Sequence, residues 1–209
     1  YKINVEATKN LINQISKFKS KIYFMSSVEV FDGTQESLLE SSKPNPLNYY
    51  GETKLIIENY LKANYSNYHV IRTGWNTGIN LSSRCVIKMT YETLLKENAR
   101  MATDNSFTIT HVEDLASSLA KIIFTNKRKI IHLCRPEIIT RNELADKIIN
   151  QSKKKNNMNY EKCLFSDIIY SEPRSRLNNL KTQYKELFQL KFRKIEDTII
   201  QKVLFLDSV

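Results

Sequence analysis

A chain of 209 residues, 41% hydrophobic and 26% charged, is long enough to bury a sizeable core, and no apolar run reaches the roughly 18 residues of a membrane-spanning helix. Its net charge of +10 comes from lysine spread along the whole length, which argues against a dedicated nucleic-acid face. Cys85, Cys134 and Cys163 are far apart and odd in number, and His69, His111 and His132 have no metal-ligand spacing. The expectation is therefore reduced, buried thiols, with no disulfide framework and no metal.

In chain order, apolar residues at Ile3, Ala7, Leu11, Ile15 and Phe18 recur every three to four positions, which predicts a helix over residues 3–18. A chain that enters at Tyr1 straight into such a segment reads as the middle of something longer. KIYFMSS, Lys21 to Ser27, is a short apolar run rich in aromatic and β-branched residues and predicts a buried parallel strand, with Ser26 and Ser27 at its C-terminal end. Residues 31–48 contain Gly33, Pro44 and Pro46 without periodicity, as in a long surface loop. Helical patterning resumes at Tyr49, with Leu55, Ile56, Asn59, Tyr60 and Ala63 on one face. HVIRTGWNTG, residues 69–78, then reads as a strand and a glycine-punctuated loop.

Further along, residues 82–98 predict a helix, 112–124 a strongly amphipathic helix and 129–134 a short strand. Residues 140–151 predict a helix opened by Thr140 as N-cap, with Glu143 three residues later. Lys153, Lys154 and Lys155 fit its solvated end, and residues 177–205 hold two further helices. Alternating helices and strands give the rhythm of an α/β protein.

The chemistry concentrates in NYYGETKLIIE, Asn48 to Glu58. Helical residues four apart share a face, so Tyr50 and Lys54 point the same way, whereas the residue four beyond Tyr49 is the uncharged Thr53. A phenol of pKa about 10 is a poor acid or base at neutral pH, and a nearby ammonium would bring it down. Ser27, at the end of the preceding strand, can converge with Tyr50 at the mouth of a parallel sheet. His111, just before the 112–124 helix, fits a hydrogen-bonding helix-entry residue, and Trp75 fits either core packing or a ligand ring.

These segments together resemble the extended short-chain dehydrogenase/reductases. NVEATKNL resembles that family's N-x-x-x-T-x-N-L helix, FMSSVEVFDG its strand with the active-site Ser/Thr, and PNPLNYYGETKLIIE its P-x-N-x-Y-G-x-x-K-x-x-x-E segment. HVIRTGWNTG and HVEDLASSLAKII resemble its next strand-loop and its aspartate-bearing helix. The resemblance implies that Ser27 hydrogen-bonds the reacting substrate oxygen, Tyr50 exchanges its proton, and Lys54 lowers the tyrosine pKa and holds the ribose of NAD or NADP, the hydride donor.

Within that family, VFDG, RTGWNTG and DNSFTITHVEDLA are spaced as in the sugar-nucleotide ketone reductases typified by dTDP-4-dehydrorhamnose reductase, although Asn105, Phe107 and Ile109 replace the usual Gln, Gly and Pro. The implied activity is NAD(P)H-dependent reduction of a 4-keto nucleotide sugar. Glu29 also resembles the glutamate of sugar-nucleotide dehydratases, decarboxylases and epimerases, while Val28 stands where an acid is usual, and a non-catalytic regulatory relative is a third reading. Trp75, Glu29 and Arg174 join Ser27 as substrate-binding candidates, Arg174 and Arg176 suiting a diphosphate.

The implied fold is α/β: part of an NAD(P)-binding Rossmann-type parallel sheet over residues 1–80, with residues 81–209 mainly a smaller α+β substrate lobe and 108–135 returning to the sheet. Implied partners are a nucleotide sugar and a second copy in a homodimer, with neither nucleic acid nor membrane, in the cytoplasm. Gly33, Gly51, Gly74 and Gly78 form no glycine-rich turn for a cofactor pyrophosphate, so the residues read as the C-terminal portion of such an enzyme, inactive and marginally stable alone.

Overall fold

The computed structural model describes residues 1–78, 85–124 and 127–208. A π-helical turn, Lys2–Ala7, runs into α1, Thr8–Ser16. The turn alters which residues face inward: Val5 and Ile12 are buried, whereas Ile3, Leu11 and Phe18 of the expected stripe are exposed. A π turn takes more residues per turn than an α-helix, so a stripe counted at 3.6 per turn drifts off the buried face.

Strand β1, Ile22–Ser27, follows, and after a 3₁₀ turn at Val28–Val30 and the long loop comes α2, Tyr49–Asn64. Strand β2, Tyr68–Thr73, pairs in parallel with β1 in the register Ile22↔Tyr68 to Ser27↔Thr73. On its other side β2 pairs in parallel with β6, Ile130–His132. All six residues of β2 are buried, as expected of a central parallel strand covered on both faces. One face carries α1 and α2 on Ile12, Ile57, Leu61 and Val70. The other carries α4, Val112–Ile122, on Ile71, Leu115, Ile131 and Leu187.

A second sheet is built around β5, Ser106–His111. β3, Trp75–Thr77, and β9, Leu177–Asn178, run parallel to it, and β7, Ile138–Thr140, antiparallel. A two-stranded ladder joins β4, Arg100–Ala102, to β8, Glu161–Cys163. Helices α3, Val86–Leu94, α5, Arg141–Gln151, and α6, Ile195–Asp207, close a core of Ile87, Leu94, Phe107, Leu144, Ile199 and Val203.

The helix expected over 82–98 is thus Val86–Leu94, and Ser82, Ser83 and Arg84 lie outside the described residues. The tail contains one α-helix rather than two: residues 177–194 hold β9 and a single 3₁₀ turn at Lys185–Leu187. Leu187 is buried against the sheet, so this short stretch contributes one anchor and no amphipathic face. Cys85, Cys134 and Cys163 are free, with Cys134 only partly buried.

The 31–48 loop does not float over the surface. Leu38 bridges Leu180, and the Glu40 carboxylate accepts hydrogen bonds from His132 N–H at 3.0 Å, Thr182 Oγ1 at 2.6 Å and Gln183 N–H at 2.9 Å. Glu40 supplies the acceptors these polar groups would otherwise lack, which lets the loop pack inward.

Candidate active site

Ser27 ends β1, and its Oγ accepts the Glu29 N–H at 3.2 Å, starting the 3₁₀ turn. Asn48 caps α2: its Oδ1 accepts the Gly51 N–H at 2.9 Å, and its Nδ2 donates to Glu29 Oε2 at 2.7 Å. One amide therefore fixes both the helix carrying Tyr50 and the turn following Ser27. Gly51 is required at this crossing, because a Cβ there would sit 2.0 Å from the Glu29 carbonyl oxygen.

Tyr50 lies on the first turn of α2, about half exposed, and the Ser27 hydroxyl hydrogen-bonds its phenol. One turn later, Lys54 Nζ donates to the Met25 carbonyl at 3.0 Å and lies over the rings of Phe24, at 5.1 Å, and Tyr50, at 5.6 Å. Ser27, Tyr50 and Lys54 are thereby gathered at the C-terminal end of β1.

The electrostatics differ from the expectation. Burial raises the Tyr50 pKa, the Glu29 charge adds to the rise, and the Ser27 hydrogen bond only partly offsets it. Burial in turn lowers the pKa of Lys54. Lys54 faces the ring and a backbone carbonyl instead of the phenolic oxygen, so it does not pull Tyr50 toward phenolate.

Tyr50 and Ser27 open onto a cleft of about 420 Å³ that Glu29, Asn48, Trp75 and Arg174 also line. A smaller chamber of about 130 Å³ shares Glu29, Trp75 and Arg174 with it and adds Phe107, Arg141 and Tyr170. Trp75 packs against Phe107 at 6.3 Å, and its buried Nε1–H has no acceptor among the described residues. All six candidates from the sequence, Ser27, Glu29, Tyr50, Lys54, Trp75 and Arg174, thus sit at or beside one connected cleft.

Behind the site, Arg72 of β2 grips Glu58 of α2 in a fork, Nε to Oε1 at 3.0 Å and Nη2 to Oε2 at 2.6 Å. Ser26 Oγ donates to the same Glu58 Oε1 at 2.5 Å, tying the end of β1 to α2. His132 Nδ1 lies 3.1 Å from the Leu38 carbonyl and 2.9 Å from that of Lys181. Because carbonyls only accept, Nδ1 carries the proton and Nε2 faces Arg72 Nη1, 3.5 Å away, as an acceptor. Burial pulls the His132 pKa down to about 4, and Arg72 adds to the fall against the opposing pull of Glu40.

Asn48, Glu172 and Arg141 line the cleft without having been singled out in the sequence. Asn48 carried a signal, an asparagine immediately before a helix. Arg141 carried none beyond standing next to Thr140. His111 is the N-cap of α4, its Nδ1 accepting the Glu113 N–H at 3.3 Å. Among the described residues, no group of three His, Cys, Asp or Glu could hold a metal ion, and no helix is long and apolar enough to cross a membrane.

The family model for the RmlD substrate binding domain matches residues 1–203. Methionine adenosyltransferase 2 subunit beta of Xenopus laevis is 29% identical over 151 residues, covering 68% of this chain and 45% of its own. The same subunit of Xenopus tropicalis is 40% identical over 70 residues, 34% of this chain and 21% of its own. The chain thus spans less than half the length of these curated relatives. Among solved structures, a dTDP-4-dehydrorhamnose reductase of Clostridium acetobutylicum superposes with a TM-score of 0.79 at 22% identity, covering 97% of this chain and 72% of that one. Another, of Bacillus anthracis in complex with NADP, gives 0.78 at 22%, covering 96% and 71%. At these identities the superpositions establish the reductase-like α/β fold.

Proposed function

The chain belongs to the RmlD substrate binding domain family, and from that membership we propose that the whole protein reduces a 4-keto nucleotide sugar with NADH or NADPH. The observation that supports this reading is the meeting of Ser27, Tyr50 and Lys54 at the end of β1, in a cleft that continues past Trp75 to Arg174.

The Ser27 hydroxyl donates a hydrogen bond to the keto oxygen and orients the carbonyl. Tyr50 then transfers its phenolic proton to that oxygen as negative charge develops there. The phenol holds that proton at neutral pH, and the Ser27 hydrogen bond opposes the rise in its pKa that burial causes. Trp75 packs beside the sugar, and Arg174 reaches toward its phosphate. A nicotinamide cofactor, when bound, supplies the hydride.

The fit for that cofactor is at its nicotinamide and ribose end. Tyr50 and Lys54 stand at the edge strand β1, and Lys54 has no carboxylate within ion-pair distance among the described residues. No glycine of this chain is assigned to the pyrophosphate. Residues 1–73 with β6 form the cofactor side, and the lobe around β5, with β3 in its sheet, the substrate side. The three free thiols support a cytoplasmic setting.

In the whole protein, Tyr50→Phe is expected to lower kcat for a 4-keto nucleotide sugar by about 100- to 10,000-fold. Undiminished turnover would overturn the assignment. Glu29, lining both chambers close to Tyr50, favours a second reading as an epimerase or dehydratase with bound NAD. Stoichiometric consumption of added NAD(P)H distinguishes reduction from it. The likeness to a subunit of methionine adenosyltransferase favours a third reading, ligand binding without turnover, which a panel of keto sugars tests.

A further inference from the structure

Most of the described arginines are paired. Arg72, Arg100, Arg128, Arg135, Arg176 and Arg193 each hold a carboxylate within ion-pair distance. Among the described residues the two that do not are Arg141 and Arg174, and both line the same small chamber. Arg141, the first residue of α5, lies over Phe107 with its guanidinium carbon 4.8 Å from the ring centre, and its Nη1 donates to Thr90 Oγ1 at 3.2 Å. The charge of Arg174 disfavours that of Arg141, so the two guanidiniums repel one another.

Arg141 is partly buried and Arg174 is exposed at the chamber, and a partly buried charge with no carboxylate beside it and a second of like sign nearby is unfavourable. The arrangement is explained if an anion from outside completes it. Among the described residues Trp75 Nε1 adds a further donor with no acceptor, and Asn178 Oδ1 an acceptor with no donor, both in residues lining this chamber. At about 130 Å³ the chamber is too small for a whole nucleotide sugar, while the adjoining 420 Å³ leads to Tyr50. Glu29, the carboxylate lining both, is engaged by Asn48.

We propose that Arg141 binds the diphosphate of the nucleotide-sugar ligand, closing on it from the α5 side as Arg174 closes from the opposite segment. The proposal rests on the reading of the cleft as a nucleotide-sugar site and adds its anion-holding residue. The Phe107 ring and the Thr90 hydroxyl hold the Arg141 guanidinium on two sides, which restrains the fork for two phosphate oxygens.

The test is direct binding of UDP, dTDP and inorganic pyrophosphate to the whole protein by calorimetry, without cofactor. Losing hydrogen bonds to a charged group is worth about 1.5–3 kcal/mol, so Arg141→Met should weaken UDP and dTDP by roughly 10- to 100-fold. Arg141→Lys, which keeps the charge but not the fork, should fall between. Arg100→Met, outside the chamber and paired with Asp167, should leave binding unchanged. Equal affinity in wild type and Arg141→Met overturns the proposal, as does equal weakening in Arg141→Met and Arg100→Met, or no binding of any probe to the wild type. Inactivity toward every keto sugar, with UDP still held through Arg141, would instead sink the reductase reading and leave this one standing.

Discussion

Arg72 and Arg141 are both laid on an aromatic face, 5.0 Å from the Phe31 ring centre and 4.8 Å from that of Phe107, yet their surroundings are opposite. Arg72 is enclosed behind the sheet, with Glu58 filling its fork and the neutral His132 ring beside it. Arg141 lines a chamber and has a threonine hydroxyl, a phenol and a second guanidinium for neighbours. The first arrangement is complete within the fold, so its purpose is structural. The second is complete only with something added, and that distinction identifies a site better than burial does.

The sharpest way to break the comparison is to orphan Arg72. Glu58→Ala leaves its guanidinium and the Ser26 hydroxyl without their acceptor, and should cost about 3–5 kcal/mol in urea unfolding. Replacing both partners, Arg72→Met with Glu58→Leu, should cost less than Glu58→Ala alone. A double variant as damaged as the sum of the singles would show that the pair is not the unit.

A smaller effect should appear with pH on the Arg72 side. His132 is neutral in the fold with a pKa lowered to about 4, against an ordinary value of 6.5. The unfolded chain therefore takes up a proton that the folded one refuses, and stability falls as pH drops from about 6.5 toward 4. Above that window the contribution is fully present. His132→Gln should flatten this part of the stability profile measured by urea titration, and an unchanged slope would place the dependence elsewhere.

Smallest of all should be the effect of Arg141→Met on the protein without ligand. Removing an unpaired, partly buried charge should change the melting midpoint little, or raise it. A destabilisation matching that of Glu58→Ala would mean that Arg141 is structural after all.

Much of this scaffold was legible in the sequence, for identifiable reasons. The Thr140 and Glu143 pattern is realised as a reciprocal capping box opening α5. KIYFMSS and HVIRT became the paired strands β1 and β2. Strand β2 is buried throughout, as suits a strand covered on both faces, whereas β1 stands at the edge of the described sheet and, Ser26 apart, is only partly buried. Of the six described strands of two or three residues, β6 showed as an apolar run, whereas β3, β4, β7, β8 and β9 are too short to show a period, and each exists through its partner. The first helix was misjudged in phase because a π turn has its own count.

The candidate site divides in the same way. Spacing identified Tyr50 over Tyr49 and put Lys54 beside it, but the sequence could not say that Lys54 turns to the Met25 carbonyl or that burial raises the phenol. Arg141 was illegible for a deeper reason. Its meaning lies in which carboxylates are not near it, and that is a property of the folded neighbourhood.

The tether between the 31–48 loop and residues 179–183 bears on how this scaffold can be re-engineered. Leu38 and Glu40 are bonded across the long separation to Asn179, Lys181, Thr182 and Gln183. A chimera that imports the loop from a relative without the later segment would strand the donors now satisfied by Glu40, while moving both keeps them matched. The two stretches form one exchangeable cassette, and recombination libraries that cross over between them should lose far more folded members than those that inherit both from one parent.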